Sequence, residues 1–160
     1  MSITSNTGPL IALAKVDLLS VLKITFSDVL IPPSVRRELL AKPGGDSERL
    51  QAAIGEYIKE TELTGSPRRA APAMARLGAG EQEAIALAAQ TGTPLLIDDR
   101  LARTAARELG VRVIGTAGLL VESKLAGKIP AVRPILEEIR RRGYHLSDAL
   151  IDGASRLAGE

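Results

Sequence analysis

The 160-residue chain has no cysteine, no tryptophan, one histidine, one phenylalanine and two tyrosines. Each shortage removes a class of chemistry. Without cysteine there are no disulfides and no thiolate metal sites. The lone imidazole, His145, excludes His-rich zinc centres and speaks against a Ser-His-Asp triad; beside Tyr144 and ahead of the last helix it reads as a surface residue. With aromatics at 2% the core must be aliphatic, and base stacking cannot dominate contact with nucleic acid. No apolar run reaches the length of a membrane span or a secretory leader: the longest early one, residues 9–14, is soon followed by Lys15 and Asp17. A soluble, cytoplasmic protein with no membrane partner is expected. There is no G-x-G-x-x-G after the first strand and no Gly-Lys-Ser/Thr loop, so a phosphate-cradling turn is not indicated.

What is present is a hydrophobic fraction of 45% in a chain long enough for one domain with a real core. No repeat, low-complexity tract or linker divides it, so residues 1–160 are read as a single domain, with the C-terminal helices of residues 131–160 as an appendage. The net charge is only +2, but arginines cluster at Arg36 and Arg37, at Arg68 and Arg69, between Arg100 and Arg107, and from Arg140 to Arg142. A pI near 9.1 permits nucleic-acid contact. For any one cluster, a solvated helix face is the ordinary explanation.

Residues 77–107 organise the rest. They read as a helix, a tight turn at residues 91–93, a strand over residues 94–98 and a second helix over residues 100–109. A helix of about 11 residues climbs roughly 16 Å, about the reach of a five-residue strand. With so short a turn the two run antiparallel, which brings Glu81 to the rim where Asp98 and Asp99 end the strand. At about 100° per residue, Ala84, Ile85 and Ala88 centre an apolar face that includes Glu81, whereas Glu83 lies nearly opposite, alongside Gln90. Glu83 is therefore expected as a solvated charge. Glu81 is the anomaly, because a carboxylate on a packing face is costly unless something binds it. Glu81 also suits the positive end of its helix, and Asp99 suits the N-cap of the next; it is their meeting at one strand end that asks for a further reason.

Taken in order, residues 2–6 form a first strand, broken by Thr7-Gly8-Pro9 and followed by a helix over residues 10–15 and a shorter one over 16–23. Residues 28–31 form a second strand, and Pro32-Pro33 opens a helix over 34–41 with Glu38 at the border of its apolar face. A loop over 42–46, a helix over 48–54, a third strand over 57–63, a polar connection over 64–71 and a short helical piece over 72–76 precede the central stretch. After it come a fifth strand over 111–114, a helix from Thr116 to residue 126 with Thr116 as N-cap, a helix over 132–142 and a last helix over 147–158 capped by Ser147. Five short strands alternating with helices predict a three-layer α/β/α sandwich around a mostly parallel sheet, with helices on both faces. In the order 3-2-1-4-5, strands one and four are neighbours, and Asn6 shares a rim with Asp98, Asp99 and Glu81, within reach of Glu38. Ligands in such folds sit beyond the carboxyl ends of the strands.

Ser5-Asn-Thr-Gly-Pro-Leu-Ile-Ala-Leu-Ala-Lys15, Ile31-Pro-Pro-x-Val-x-x-Glu-Leu39, Gly80-Glu-x-Glu-Ala-Ile-Ala-Leu-Ala88, Leu96-Ile-Asp-Asp-Arg100 and Gly115-Thr-x-Gly-Leu119 together resemble the PIN-domain superfamily, in particular its short bacterial and archaeal members. The motifs span nearly the whole chain in the family's order and are specific as a set. The resemblance implies a metal-dependent ribonuclease whose acids bind Mg²⁺ or Mn²⁺; several relatives are toxins of toxin–antitoxin pairs, so RNA and an antitoxin protein are the implied partners. Carried over by position, the family's first Asp falls on Asn6, its second acid on Glu38, its third on Glu81 and its fourth on Asp99, with Asp98 beside it. The sequence departs from the pattern twice: the strand-one acid is an amide, and Gly8 stands where a small hydroxyl residue is often found. An amide oxygen can still ligate Mg²⁺ but brings no charge, which should weaken metal binding and water activation.

The expected roles are Glu81 and Asp99 as principal metal ligands, Glu38 and Asp98 orienting water, Asn6 as a neutral oxygen ligand, and Arg100 and Arg103 holding the RNA backbone through salt-sensitive contacts. Three readings follow: a metal-dependent endoribonuclease; a PIN-like module that binds RNA or protein without cutting, because of Asn6; and a receiver-like phospho-switch. The third needs an acid pair after the first strand and a Lys after the last, where this chain has Asn6 and Gly115. The amphipathic C-terminal helices are expected to serve partner docking or a homodimer.

Overall fold

The computed structural model describes residues 1–41, 45–65 and 72–160. Arg68, Arg69 and most of the two polar loops read from the sequence lie outside them. The elements are β1 (Ile3–Ser5), α1 (Thr7–Lys15), α2 (Ser20–Thr25), β2 (Val29–Ile31), α3 (Pro33–Leu40), α4 (Gly45–Ala53), β3 (Ile58–Glu60), a 3₁₀ segment (Pro72–Arg76), α5 (Ala79–Thr91), β4 (Leu95–Leu96), α6 (Arg100–Glu108), β5 (Val113–Ile114), α7 (Thr116–Leu125), α8 (Arg133–Arg141) and α9 (Asp148–Leu157). The strands form one sheet in the order β3-β2-β1-β4-β5, every adjacent pair parallel.

Local chemistry sets the boundaries. Pro33 starts α3, where its missing N–H costs nothing. Gly92 ends α5 with φ of 67°, a left-handed conformation that other residues enter at a cost, and this sharp reversal sends the chain into β4. The strands are shorter than the apolar runs that announce them, because ladder pairing stops where the helices pull the chain off the sheet. Thr116 is the first helical residue of α7, and Gly115 takes the cap position expected for it.

Side chains alternate across β4, so the sheet has a core on each face. Leu95 and Ile97 pack with Ala84, Ile85 and Ala88 of α5 and Ala102, Ala105 and Ala106 of α6. Leu96 points the other way, into the larger core with Ile3, Leu10, Leu13, Val35 and Leu119. The segment 131–160 contributes Val132, Leu136, Ile139 and Ile151 to that larger core. The Glu160 carboxylate accepts from the backbone N–H groups of Val132 (2.6 Å) and Arg133 (3.0 Å) at the start of α8; these bonds and Lys124 hold its pKa down at about 2. Among the described residues, no helix is long and apolar enough to cross a membrane.

Candidate active site

Parallel pairing of β1 with β4 fixes the rim. The Asn6 N–H donates to the Leu96 carbonyl (3.0 Å), so the carboxyl end of β1 lies beside the point where β4 gives way to Asp98 and Asp99. Asn6 is the N-cap residue of α1 by backbone geometry, yet its side chain makes no capping bond, and the residue is only 8% exposed. The next residue reaches across the rim: Thr7 Oγ1 donates to Glu38 Oε2 (2.7 Å), which ties the carboxylate of α3 to the start of α1.

Glu38 in turn lies against the first turn of α5. A Cβ at Gly80 would collide with its carboxylate, so glycine lets α5 begin this close to α3. Glu81 follows, and its carboxylate accepts from the N–H of Gly78, the N-cap residue, in the reciprocal half of a capping box. Its pKa is nonetheless raised: burial is the largest cause, followed by the charge of Asp99, with that of Glu38 adding less. The charges of Asp99 and Glu38, each from a different helix, thus both reach Glu81 at one rim. Glu81 is part-buried, as Glu83 also is.

The two aspartates after β4 diverge. Asp99 is exposed and caps α6, its Oδ2 accepting from the Ala102 N–H (2.9 Å), while its charge acts on Glu81. Asp98 turns toward α7: Oδ1 accepts from the Thr116 N–H (2.7 Å), and Oδ2 accepts from Thr116 Oγ1 (2.7 Å) and from the Tyr144 hydroxyl. Each Asp98 oxygen thus has a protein donor, and Asp98 ties α7 and Tyr144 to the end of β4. Burial, then the Asp98 charge, pushes the Tyr144 phenol well above its ordinary range. The same hydroxyl lies 2.9 Å from where a Cβ on Gly8 would sit, so Tyr144 fills the space left by the absent side chain at residue 8.

Glu83 departs from its expected place. It is half-buried, and its Oε2 accepts from the Ser34 N–H (3.3 Å) and from Ser34 Oγ at the start of α3. The angular argument assumed one packing face on α5, but residues 84–88 are all buried, since α5 is covered by α3 and α6 as well as by the sheet. A charge opposite the sheet thus meets the positive end of another helix rather than water. Sequence reasoning missed Ser34 and Tyr144 because each reaches its partner across 46 residues or more; Gly8 in a position that usually carries a hydroxyl was the one local hint of the second.

A family model described as a PIN domain matches residues 2–160. The chain belongs to the PIN-domain family. None of the curated proteins matches it. PIN domains have a nuclease-type fold and generally use divalent metal ions. In this PIN domain, no three acidic or imidazole groups among the described residues converge closely enough to form a ready-made metal shell. The donor types nonetheless suit a hard cation: the carboxylates of Glu38, Glu81 and Asp99 and the amide of Asn6 offer the oxygen ligands Mg²⁺ and Mn²⁺ prefer. Their mutual repulsion, visible at Glu81, is what a bound cation would offset. Arg100 is exposed at the start of α6, and Arg103 lies one turn on, its guanidinium 2.7 Å from where a Cβ on Gly115 would sit.

Proposed function

We propose that this PIN domain is a divalent-metal-dependent endoribonuclease that hydrolyses RNA phosphodiesters at the rim formed by Asn6, Glu38, Glu81 and Asp99. The observation that carries the reading is the convergence of acids at the rim: Thr7 holds Glu38 against the first turn of α5, where Glu81 stands within reach of the charges of both Glu38 and Asp99, an arrangement that serves a cation and serves folding poorly. Mg²⁺ or Mn²⁺, when bound, supplies Lewis-acid activation of water and neutralises charge developing on the phosphate.

The protein's own residues do the rest. Glu81 and Asp99 hold the cation directly or through water, and Asn6 adds a neutral oxygen. Glu38, fixed by Thr7, orients water at the edge of the site. Asp98 contributes by holding α7 to the end of β4. Arg100 and Arg103 bind the RNA backbone. In this reading the chain is the toxin of a toxin–antitoxin pair, acts in the cytoplasm and meets a second copy of itself through its C-terminal helices.

Incubation of a mixed RNA pool with the protein and Mg²⁺ or Mn²⁺ tests the nuclease reading. Cleavage that needs the metal and disappears in Asp99→Asn is expected; an undiminished rate in Asp99→Asn contradicts it. The amide at Asn6 and the lack of a ready-made shell favour a second reading, a module that binds RNA without cutting it. Under that reading Asn6→Asp creates activity from almost none; under the first it changes an existing rate only modestly.

A further inference from the structure

The arginines of this protein fall into two kinds. On α8 and just after it, Arg133 pairs with Glu137 and Asp152, Arg140 with Asp148, and Arg141 and Arg142 with Glu138. Arg100, Arg103, Arg107 and Arg112 make no ion pair among the described residues. The first three recur at i, i+3 and i+7 on α6, within about 60° of one another around its axis. They cover roughly 10 Å of its length from the rim downward.

Arg103, Arg107 and Arg112 border two hollows that meet. One, of about 620 Å³, begins at Asp98 and Arg103 and runs between β5 and α7 on one side and the Leu150, Ala154 and Leu157 face of α9 on the other. The other, of about 550 Å³, holds Arg107, Arg112 and Phe26 near the amino end of the sheet. Val113, Ile114 and Glu122 line both, so the two form one groove along the outer edge of β5. Both residues of β5 are partly exposed, which makes an aliphatic floor. Gly115 matters at the upper end, because any side chain there would displace the Arg103 guanidinium. Phe26, the chain's one phenylalanine, is only part-buried at the lower end.

We infer that the groove takes single-stranded RNA continuing beyond the cleavage site, with its phosphates on Arg103, Arg107 and Arg112 and a base against Phe26. This rests on the ribonuclease reading and extends it from a point of cleavage to a directed strand path. Guanidinium groups without carboxylate partners remain free for phosphate, an aliphatic floor accepts bases or ribose without sequence preference, and an aromatic face at the far end suits stacking, a combination typical of single-strand binders. An acidic peptide would satisfy the arginines but would make no special use of Phe26.

The test uses the full chain carrying Asp99→Asn to prevent turnover, and two RNAs: a core of about four nucleotides and the same core extended by about six. The extension is expected to tighten binding about tenfold at low salt. It should also steepen the salt dependence, and Arg107→Gln with Arg112→Gln should take about 1.4 from the slope of log K against log salt for the longer RNA. Phe26→Leu should reduce the gain from extension, whereas Arg140→Gln, whose side chain is ion-paired on α8, should leave that gain intact. An extension that adds nothing while the wild-type protein still cleaves the core overturns the groove and leaves the nuclease reading standing. Extension-dependent binding without cleavage of any RNA by the wild type overturns the nuclease reading and keeps the groove. A polyglutamate peptide that binds through Arg107 and Arg112 while the RNA extension adds nothing assigns the groove to an acidic protein and overturns the proposal.

Discussion

Asp98 and Asp99 are neighbours in sequence, as nearly are Glu81 and Glu83, yet each pair divides its labour. Asp98 and Glu83 lie beneath helix starts: one receives Thr116 and Tyr144, the other Ser34, and both hold long-range packing in place. Asp99 and Glu81 stand on the rim, where the charge of Asp99 adds to the cost of ionising Glu81. All four accept from protein donors, Asp99 from the Ala102 N–H and Glu81 from the Gly78 N–H among them. What sets the rim pair apart is that the charge of Asp99 bears on Glu81 with no cationic side chain of the described residues between them, and this is the physical content of the proposal that the rim is the functional site.

The largest effect that sharpens the contrast is on catalysis. Asp99→Asn should lower the cleavage rate about 100-fold or more, while its melting temperature stays within about 2 °C, because Asn caps a helix as well as Asp does. Asp98→Ala should do the reverse. It strands Thr116 and Tyr144, and in a denaturant titration it should cost about 3 kcal/mol. Equal loss of activity and equal loss of stability in the two variants would break the distinction.

The glutamates of α5 offer a smaller version. Ser34→Ala should cost about 1 kcal/mol through its lost bond to Glu83. Glu81→Gln should instead raise stability at neutral pH when no metal is added. Because the folded form holds the Glu81 proton more tightly than the unfolded chain does, metal-free stability falls as pH rises from the ordinary glutamate value through the raised one. The variant removes that fall, as a pH series of melting curves would show. Last, Gly80→Ala should separate stability from activity at one atom. It adds up to about 1 kcal/mol of helix preference but pushes the flexible Glu38 carboxylate aside. Slower cleavage by a protein that melts no lower is the expected outcome.

The sequence conveyed the parts of this division that depend on local periodicity. Alternating strands and helices were enough for a parallel sheet between layers of helices, and the short turn before β4 was enough to bring the start of α5 to the rim. It did not convey which acids would be satisfied by donors far along the chain. Nothing near Glu83 announces Ser34, 49 residues earlier, and nothing near Asp98 announces Tyr144, 46 residues later. One buried face is the usual assumption for a helix; α5, enclosed on several sides, defeats it. Strand lengths were overestimated for a related reason: apolar residues such as Val111 continue past the ladder because helices cover them, Val111 packing with Ala106 of α6.

The account's central claim is that Glu81 and Asp99 share a cation. Titration with Mn²⁺ followed by electron paramagnetic resonance measures that directly. Saturable binding by the wild-type protein, lost in both Asp99→Asn and Glu81→Gln and retained in Asp98→Asn, is the predicted result; undiminished binding by Asp99→Asn would contradict it.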